Sequence, residues 1–200
     1  MLGLPKNTEV HQQLPKTSVY KKFKLNTAEK NAFDSDISKI IIVNEISAEN
    51  INVSPSKGVD NFFVLHVTLK KRNFSEKNII MLSNLISQDM LFILEHEGIA
   101  KLATFNTKLL QTDWNKLDSL KINLNGLNIK QVWENIIIQI GNLTIEEGNS
   151  IEEQIVVDEE REKLLKEISK LEKKARSERQ PKRKYELFQK IKKLKKELES

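Results

Sequence analysis

The segment 158–200 constrains the fold most strongly, because it lacks glycine, contains a single proline and repeats apolar residues at helical spacing. Its apolar residues advance by four, three and four positions in each of two rows, so each row forms one stripe along a helix. The first row is Leu164, Ile168, Leu171 and Ala175, and the second row is Leu187, Ile191, Leu194 and Leu198.

Pro181 lies between the two rows. A proline is unfavourable inside a helix but is accommodated in the first turn, so Pro181 predicts the start of a second helix. A narrow apolar stripe does not stabilise an isolated helix, whereas two antiparallel stripes bury each other. We therefore expect a helical hairpin over 158–200, with one long kinked helix as the alternative. If this apolar seam instead binds a partner or a second copy, the contacting residues are Ile168, Leu171, Leu187, Ile191 and Leu194.

Positive charge is concentrated in the same segment. Residues 158–200 contain sixteen Lys or Arg against ten Asp or Glu, while residues 1–157 contain seventeen against eighteen. A concentrated positive field attracts polyanions and contacts phosphates, which predicts nucleic-acid binding. The alternative is an ordinary solvated helix surface. The residues expected to contact phosphates surround the tip of the hairpin: Lys173, Lys174, Arg176, Arg179, Lys182, Arg183 and Lys184.

The rest of the chain has the size and pattern of one globular domain. Short β-branched runs at 40–43 and 62–69 predict buried strands, and 90–94 with 100–105 predict a β-hairpin around His96, Glu97 and Gly98. Helices are expected after Asn26, Ser75 and Asn128. This predicts an α+β fold with a central, mostly antiparallel or mixed sheet and packed helices. The expected organisation is a globular domain over 1–145, a linker over 146–157 and the basic hairpin over 158–200.

Composition excludes several classes of protein. The chain contains no cysteine, which excludes disulfides, thiolate metal sites and a cysteine nucleophile. It also lacks a run of about twenty apolar residues, the length that spans a bilayer. We therefore expect a cytoplasmic protein that does not associate with membranes.

No catalytic motif is present. The three histidines are scattered, and His96 is expected on an exposed turn. Glycine-rich phosphate loops and the hydrolase nucleophile motif are absent, so no catalytic residue, metal ligand or cofactor is assigned. The one arrangement that resembles a magnesium-dependent nuclease is Asp60 followed by Thr68 and Lys70, in which Thr68 replaces a carboxylate ligand. The sequence favours a non-enzymatic protein, with a degenerate or active nuclease as an alternative.

The N-terminal region contains a short repeat, in which the tripeptide Leu-Pro-Lys ends at Lys6 and again at Lys16. Prolines at this spacing predict extended or turn backbone. Lys6 and Lys16 are two further candidates for phosphate contacts, and the run 70–72 is another small basic group. If these residues share one face, the nucleic-acid hypothesis gains support.

Three segments together resemble a known bacterial family: LGLPKNTEVHQQLPKTSVY, the pair FILEHEGIAKLATFNTK and GLNIKQVWENIIIQI, and the ending LEKKARSERQPKRKYELFQKIKKLKKELE. The chain resembles the domain of unknown function family 4391 over nearly its full length. The resemblance implies a non-catalytic accessory role in restriction or phage-defence systems, beside a helicase or DNA methyltransferase partner. By this resemblance, the positions expected to matter most are Pro5, Lys6, Pro15, Lys16, Tyr20, Lys174, Arg176, Glu178, Gln180, Lys184, Glu186 and Leu187.

Overall fold

The structure is a computed structural model that describes residues 2–198. The chain divides into two compact units, of which the first ends at Thr144 and the second begins at Ile145. Helix α5, which runs from Ile151 to Ser177, begins inside the segment that the sequence assigns to a linker. Residues 151–157 of that segment are therefore helical. A capping box at Ser150 and Glu153 starts this helix, because each side chain accepts a hydrogen bond from the other residue's backbone N–H.

The first unit contains a seven-stranded mixed sheet, and β7 pairs with β5 beside the main path β1-β2-β3-β4-β5-β6. Strands β3 and β4 are parallel and the other pairs are antiparallel. This confirms the predicted mixed, mostly antiparallel sheet. The strands are β1 (Glu9–Gln13), β2 (Ile37–Ser47), β3 (Asn61–Leu69), β4 (Asp89–His96), β5 (Ile99–Phe105), β6 (Leu109–Gln111) and β7 (Asn115–Lys116).

Four α-helices accompany this sheet: α1 (Lys16–Lys22), α2 (Thr27–Asp36), α3 (Glu76–Ser83) and α4 (Ile129–Gly141). Asn26 and Glu29 form the predicted capping box at the start of α2. Asn128 caps α4 by accepting a hydrogen bond from the backbone N–H of Gln131. Two single-turn 3-10 helices, Lys6–Thr8 and Leu117–Ser119, lie in the connections.

Strand β3 is buried on both faces of the sheet. Leu65 belongs to a core cluster that also contains Ile79 and Leu82 of α3. Phe62, three residues earlier, points to the opposite face because side chains alternate along a strand. Its ring centroid lies 4.9 Å from that of Trp133 in α4. The helices therefore pack on both faces of the sheet.

The predicted hairpin of β4 and β5 is present. Its two turn residues, Glu97 and Gly98, have φ angles of 51° and 79°, as a two-residue hairpin turn of type I′ requires. The expectation that His96 lies on an exposed turn is wrong. His96 ends β4 with its ring half-buried, and its Nδ1 lies 3.2 Å from the carbonyl oxygen of Leu69.

The second unit is a helical hairpin of α5 and α6 (Pro181–Leu198). Pro181 is the first residue of α6, as predicted. The buried residues Ile168, Ala175 and Ile191 form its core. The ammonium of Lys195 lies 2.8 Å from Glu172 of α5, which fixes the antiparallel register of the two helices. Every helix that the structure describes is too short or too polar to cross a membrane.

Candidate nucleic-acid interface

The seven basic residues predicted at the tip lie at the end of α5, in the three-residue connection and in the first turn of α6. Six side chains are exposed and Lys184 is half-buried. Within residues 2–198, none of the seven forms a salt bridge shorter than 4.0 Å. We call this set the tip cluster: Lys173, Lys174, Arg176, Arg179, Lys182, Arg183 and Lys184.

The salt bridges of the hairpin lie away from the tip. They place three of the stem lysines next to stem carboxylates. Hydrogen bonding to Lys195, together with its charge, lowers the pKa of Glu172, so this carboxylate stays ionised. The pairs and their N–O distances are Lys163 with Glu159 at 3.5 Å, Lys166 with Glu162 at 3.3 Å, and Lys195 with Glu172 at 2.8 Å.

Two connected depressions carry the basic surface of the hairpin. The first has a volume of about 440 Å³ and is lined by three cations, two carboxylates and two other residues, which are Lys174, Ser177, Glu178, Arg183, Glu186, Leu187 and Lys190. The cations outnumber the carboxylates by one. The second has a volume of about 500 Å³ and runs along α5 past Lys170, and it shares Lys174 with the first. Cations spaced along a surface in this way are suited to successive phosphates of a backbone.

Lys16 does not belong to this surface. Its ammonium lies 2.7 Å from Asp34, which also accepts a hydrogen bond of 2.6 Å from the hydroxyl of Tyr20. The hydrogen bond from Lys16 holds the pKa of Asp34 below its ordinary value of 3.8. Burial, and then the bond to Asp34, raise the pKa of Tyr20 to about 12. Lys16 therefore holds α1 against α2, while Lys6 remains exposed in the first 3-10 helix.

The basic run 70–72 approaches the same carboxylates. Lys71 lies 2.8 Å from Asp36, and the charge of Lys70 contributes to the low pKa of Asp34. Lys16, Lys70 and Lys71 therefore lie in one region of the first unit, and they are part of the set that the hypothesis named. Asp34 pairs with Lys16 and Asp36 pairs with Lys71, so these contacts form a salt-bridged structural cluster. We assign the candidate interface to the hairpin.

The arrangement suggested for a nuclease is not assembled. Asp60 is exposed immediately before β3, whereas Thr68 lies near the far end of that strand. Eight residues of extended chain separate their Cα atoms by about 26 Å, and Lys70 follows at the same far end. Among the described residues, no group of three or more His, Asp or Glu side chains is placed to hold a metal ion.

The apolar seam of the hairpin is internal. Its predicted contact residues pack against one another, with Ile168 and Ile191 buried and Leu171, Leu187 and Leu194 partly buried against them. The apolar side chains that α6 exposes are instead Tyr185 and Phe188, which the sequence analysis did not single out. The sequence contains a signal for both residues, because each is an aromatic residue in a basic helix and lies outside the apolar row 187–191–194.

These features define a class of protein, an α+β domain with a mixed sheet that carries a basic helical hairpin. The chain belongs to the family described as Domain of unknown function (DUF4391), whose profile matches residues 2–198. A search of curated proteins and a search of solved structures each found no significant match.

Proposed function

We propose that this protein is a non-catalytic accessory protein that binds the backbone of nucleic acid through the tip cluster. One observation carries the proposal: seven cations lie together at the end of the hairpin, and none of them forms a salt bridge among residues 2–198, so their positive charges add in one small region. In the stem, Lys163, Lys166 and Lys195 pair with carboxylates, whereas the other stem lysines form no salt bridge among the described residues and extend the positive surface away from the tip.

The position of the cations at the start of α6 is a second supporting observation. Lys182, Arg183 and Lys184 occupy the first turn of this helix, which contains no acidic residue. The N-terminus of a helix carries a partial positive charge, so each cation there destabilises the helix by roughly 0.3–1 kcal/mol. A bound phosphate relieves this repulsion and also accepts hydrogen bonds from the free N–H groups.

Phosphate contacts position a protein on nucleic acid but read no sequence. The protein therefore requires another component to select its site, and resemblance to the family suggests a helicase or DNA methyltransferase of a restriction or defence system. Isolation of the native complex, followed by mass spectrometry, tests this part of the proposal. If neither a helicase nor a methyltransferase is recovered, the accessory role is contradicted. The nucleic-acid contact is tested separately.

Fluorescence anisotropy with a random duplex, repeated across salt concentrations, tests the nucleic-acid contact. For duplex DNA, log K falls with log salt with a slope of about 0.9 for each neutralised phosphate. Replacing all seven residues of the tip cluster by Gln therefore removes up to about 6 from the slope and weakens binding strongly at low salt. An unchanged affinity and slope would refute the proposal.

A matched control separates local contacts from total charge. Seven exposed lysines of the first unit, replaced by Gln, change the net charge by the same amount. We expect this control variant to retain most of the wild-type affinity and slope, and an equal loss in both variants contradicts a site at the tip. The control positions are Lys21, Lys22, Lys39, Lys57, Lys77, Lys116 and Lys121.

The two alternative functions gain no support from the structure. The seam proposed for oligomerisation is buried within the hairpin, and light scattering of the Ile191→Asp variant against the wild type measures whether assembly depends on it. The nuclease arrangement places Asp60 and Thr68 at opposite ends of β3. A plasmid-nicking assay with magnesium, compared with Asp60→Ala, measures any activity.

A further inference from the structure

Helix α6 exposes two aromatic rings: Tyr185 is 65% exposed and Phe188 is 52% exposed. The hairpin buries a different row of α6, centred on Ile191, so packing within the hairpin does not explain these rings. Large exposed aromatic side chains cost free energy in water and are enriched where a protein contacts a ligand or partner.

The two rings lie within the basic surface. Residues three apart in a helix are neighbours on one face, with about 5–6 Å between their Cβ atoms. Lys182 neighbours Tyr185 by the same spacing of three, and Lys184 and Lys192 neighbour Phe188 on either side by a spacing of four, which also places side chains on one face. A shallow depression of about 680 Å³ extends from Phe188 along α6 and has lysines, Lys192 among them, in its walls. The site is therefore an apolar ring surface with a cationic rim.

A ligand that fits this surface carries regularly spaced negative charges and exposed flat apolar faces. A duplex offers the charges but hides its base faces inside the stack, whereas a single strand offers both. Lipid surfaces are less suitable, because a membrane-bound helix presents a wide apolar face, and the apolar row of α6 is buried against α5.

We propose that Tyr185 and Phe188 stack on unpaired bases while the tip cluster holds the backbone, so that the preferred ligand is single-stranded nucleic acid. This inference rests on the proposed function and narrows it. Stacking on an aromatic side chain tolerates any base sequence. The hairpin thus recognises unpaired strands, such as those that DNA unwinding produces, without sequence preference.

The test compares a labelled 20-nucleotide oligothymidylate with a 20-base-pair duplex by anisotropy at one low salt concentration. The wild type is expected to bind the single strand more tightly. The double variant Tyr185→Ala, Phe188→Ala is expected to lose about tenfold in single-strand affinity for each ring removed, and to bind the duplex within about twofold of the wild type. Both positions are exposed and alanine favours helix, so the circular dichroism spectrum should be unchanged.

Two control variants accompany the alanine substitutions. Tyr185→Phe with Phe188→Tyr retains both rings and is expected to retain single-strand affinity. Leu165→Ala removes an exposed apolar side chain from α5 and is expected to change nothing. If Leu165→Ala weakens binding as much as the double alanine variant, general apolar contact replaces stacking as the explanation and the inference is overturned.

The outcomes separate this inference from the proposed function. If wild type binds both ligands and ring removal weakens neither, or weakens both equally, the inference fails while the proposed function stands. If wild type binds neither ligand, both fail. If wild type binds phosphatidylserine vesicles through the rings and does not bind oligonucleotides, the occupant is a lipid surface and both are overturned.

Discussion

The carboxylate of Asp36 joins the end of α2 to the loop before α3, and its removal is the most sharply defined perturbation of the first unit. Its side chain is 5% exposed. One oxygen accepts hydrogen bonds of 2.8 Å from the backbone N–H of Ser75 and from the amide of Asn78, and the other lies 2.8 Å from the ammonium of Lys71. The substitution Asp36→Ala leaves all three donors without this acceptor.

The expected loss of stability follows from these contacts. Each hydrogen bond to a charged, buried group contributes about 1.5–3 kcal/mol. The pair with Lys71, whose side chain is half exposed, contributes about 0–1 kcal/mol. Asp36→Ala therefore lowers the free energy of unfolding of the first unit by about 3–6 kcal/mol, a large part of the roughly 5–15 kcal/mol typical of a domain.

Urea unfolding followed by tryptophan fluorescence measures this loss. Both tryptophans of the chain, Trp114 and Trp133, lie in the first unit, so the signal reports that unit alone. Asp34→Ala is the matched control, because Asp34 is 43% exposed and bonded to Lys16 and Tyr20. We expect a loss of about 1–2 kcal/mol there. The reasoning is refuted if Asp36→Ala costs no more than Asp34→Ala.

The same substitution has a predicted pH dependence. Burial raises the pKa of Asp36, but Lys71, Ser75 and Asn78 together outweigh burial, so the folded-state pKa lies below 3.8. The stabilisation is therefore fully present above the unfolded-state pKa and is lost as pH falls through the lower folded-state pKa. The difference in stability between wild type and Asp36→Ala should narrow in acid. A difference that widens below pH 4 contradicts this sign.

Three further predictions follow from the packing and the turns. Ile191→Ala removes a buried side chain from the small hairpin core and should lower the stability of the hairpin by about 2–3 kcal/mol. The circular dichroism signal at 222 nm should then fall at a lower urea concentration than in wild type, while the tryptophan transition stays unchanged. If the signal at 222 nm resists urea as well as that of wild type, Ile191 does not stabilise the hairpin. Tyr20 should titrate near pH 12 in absorbance at 295 nm, and Asp34→Asn should lower that pKa toward 10.0; no downward change would show that Asp34 does not contribute. Gly98→Ala places a side chain at φ 79° and should cost about 1–2 kcal/mol in urea unfolding, and a stability equal to wild type excludes strain at this turn.

Much of the fold was predictable because the interactions that form it are local in the chain. The capping box at Asn26 and the turn at Gly98 each depend on residues within four positions, and the helical period of the hairpin repeats within two turns. The capping box at Ser150 is equally local and was missed, because the polar composition of the segment 146–157 was interpreted as a linker.

The candidate site was predictable only as a set of charges. Sequence composition located the tip cluster, and the folded hairpin decided which cations pair with carboxylates and which do not. Lys16 shows the converse case. Its partner Asp34 lies 18 positions away, so the sequence alone predicts a free cation although the fold pairs it with a carboxylate.

The sequence by itself determined the helical hairpin, its basic character and the combination of helices and strands in the first unit, since periodicity and charge are properties of neighbouring residues. Tertiary structure alone decided the parallel pairing of β3 with β4, the acceptor role of Asp36 and the pairing of Lys16 with Asp34. Each of these depends on which surfaces meet after the chain folds, and packing between distant segments, unlike helical spacing, leaves no periodic trace in the sequence.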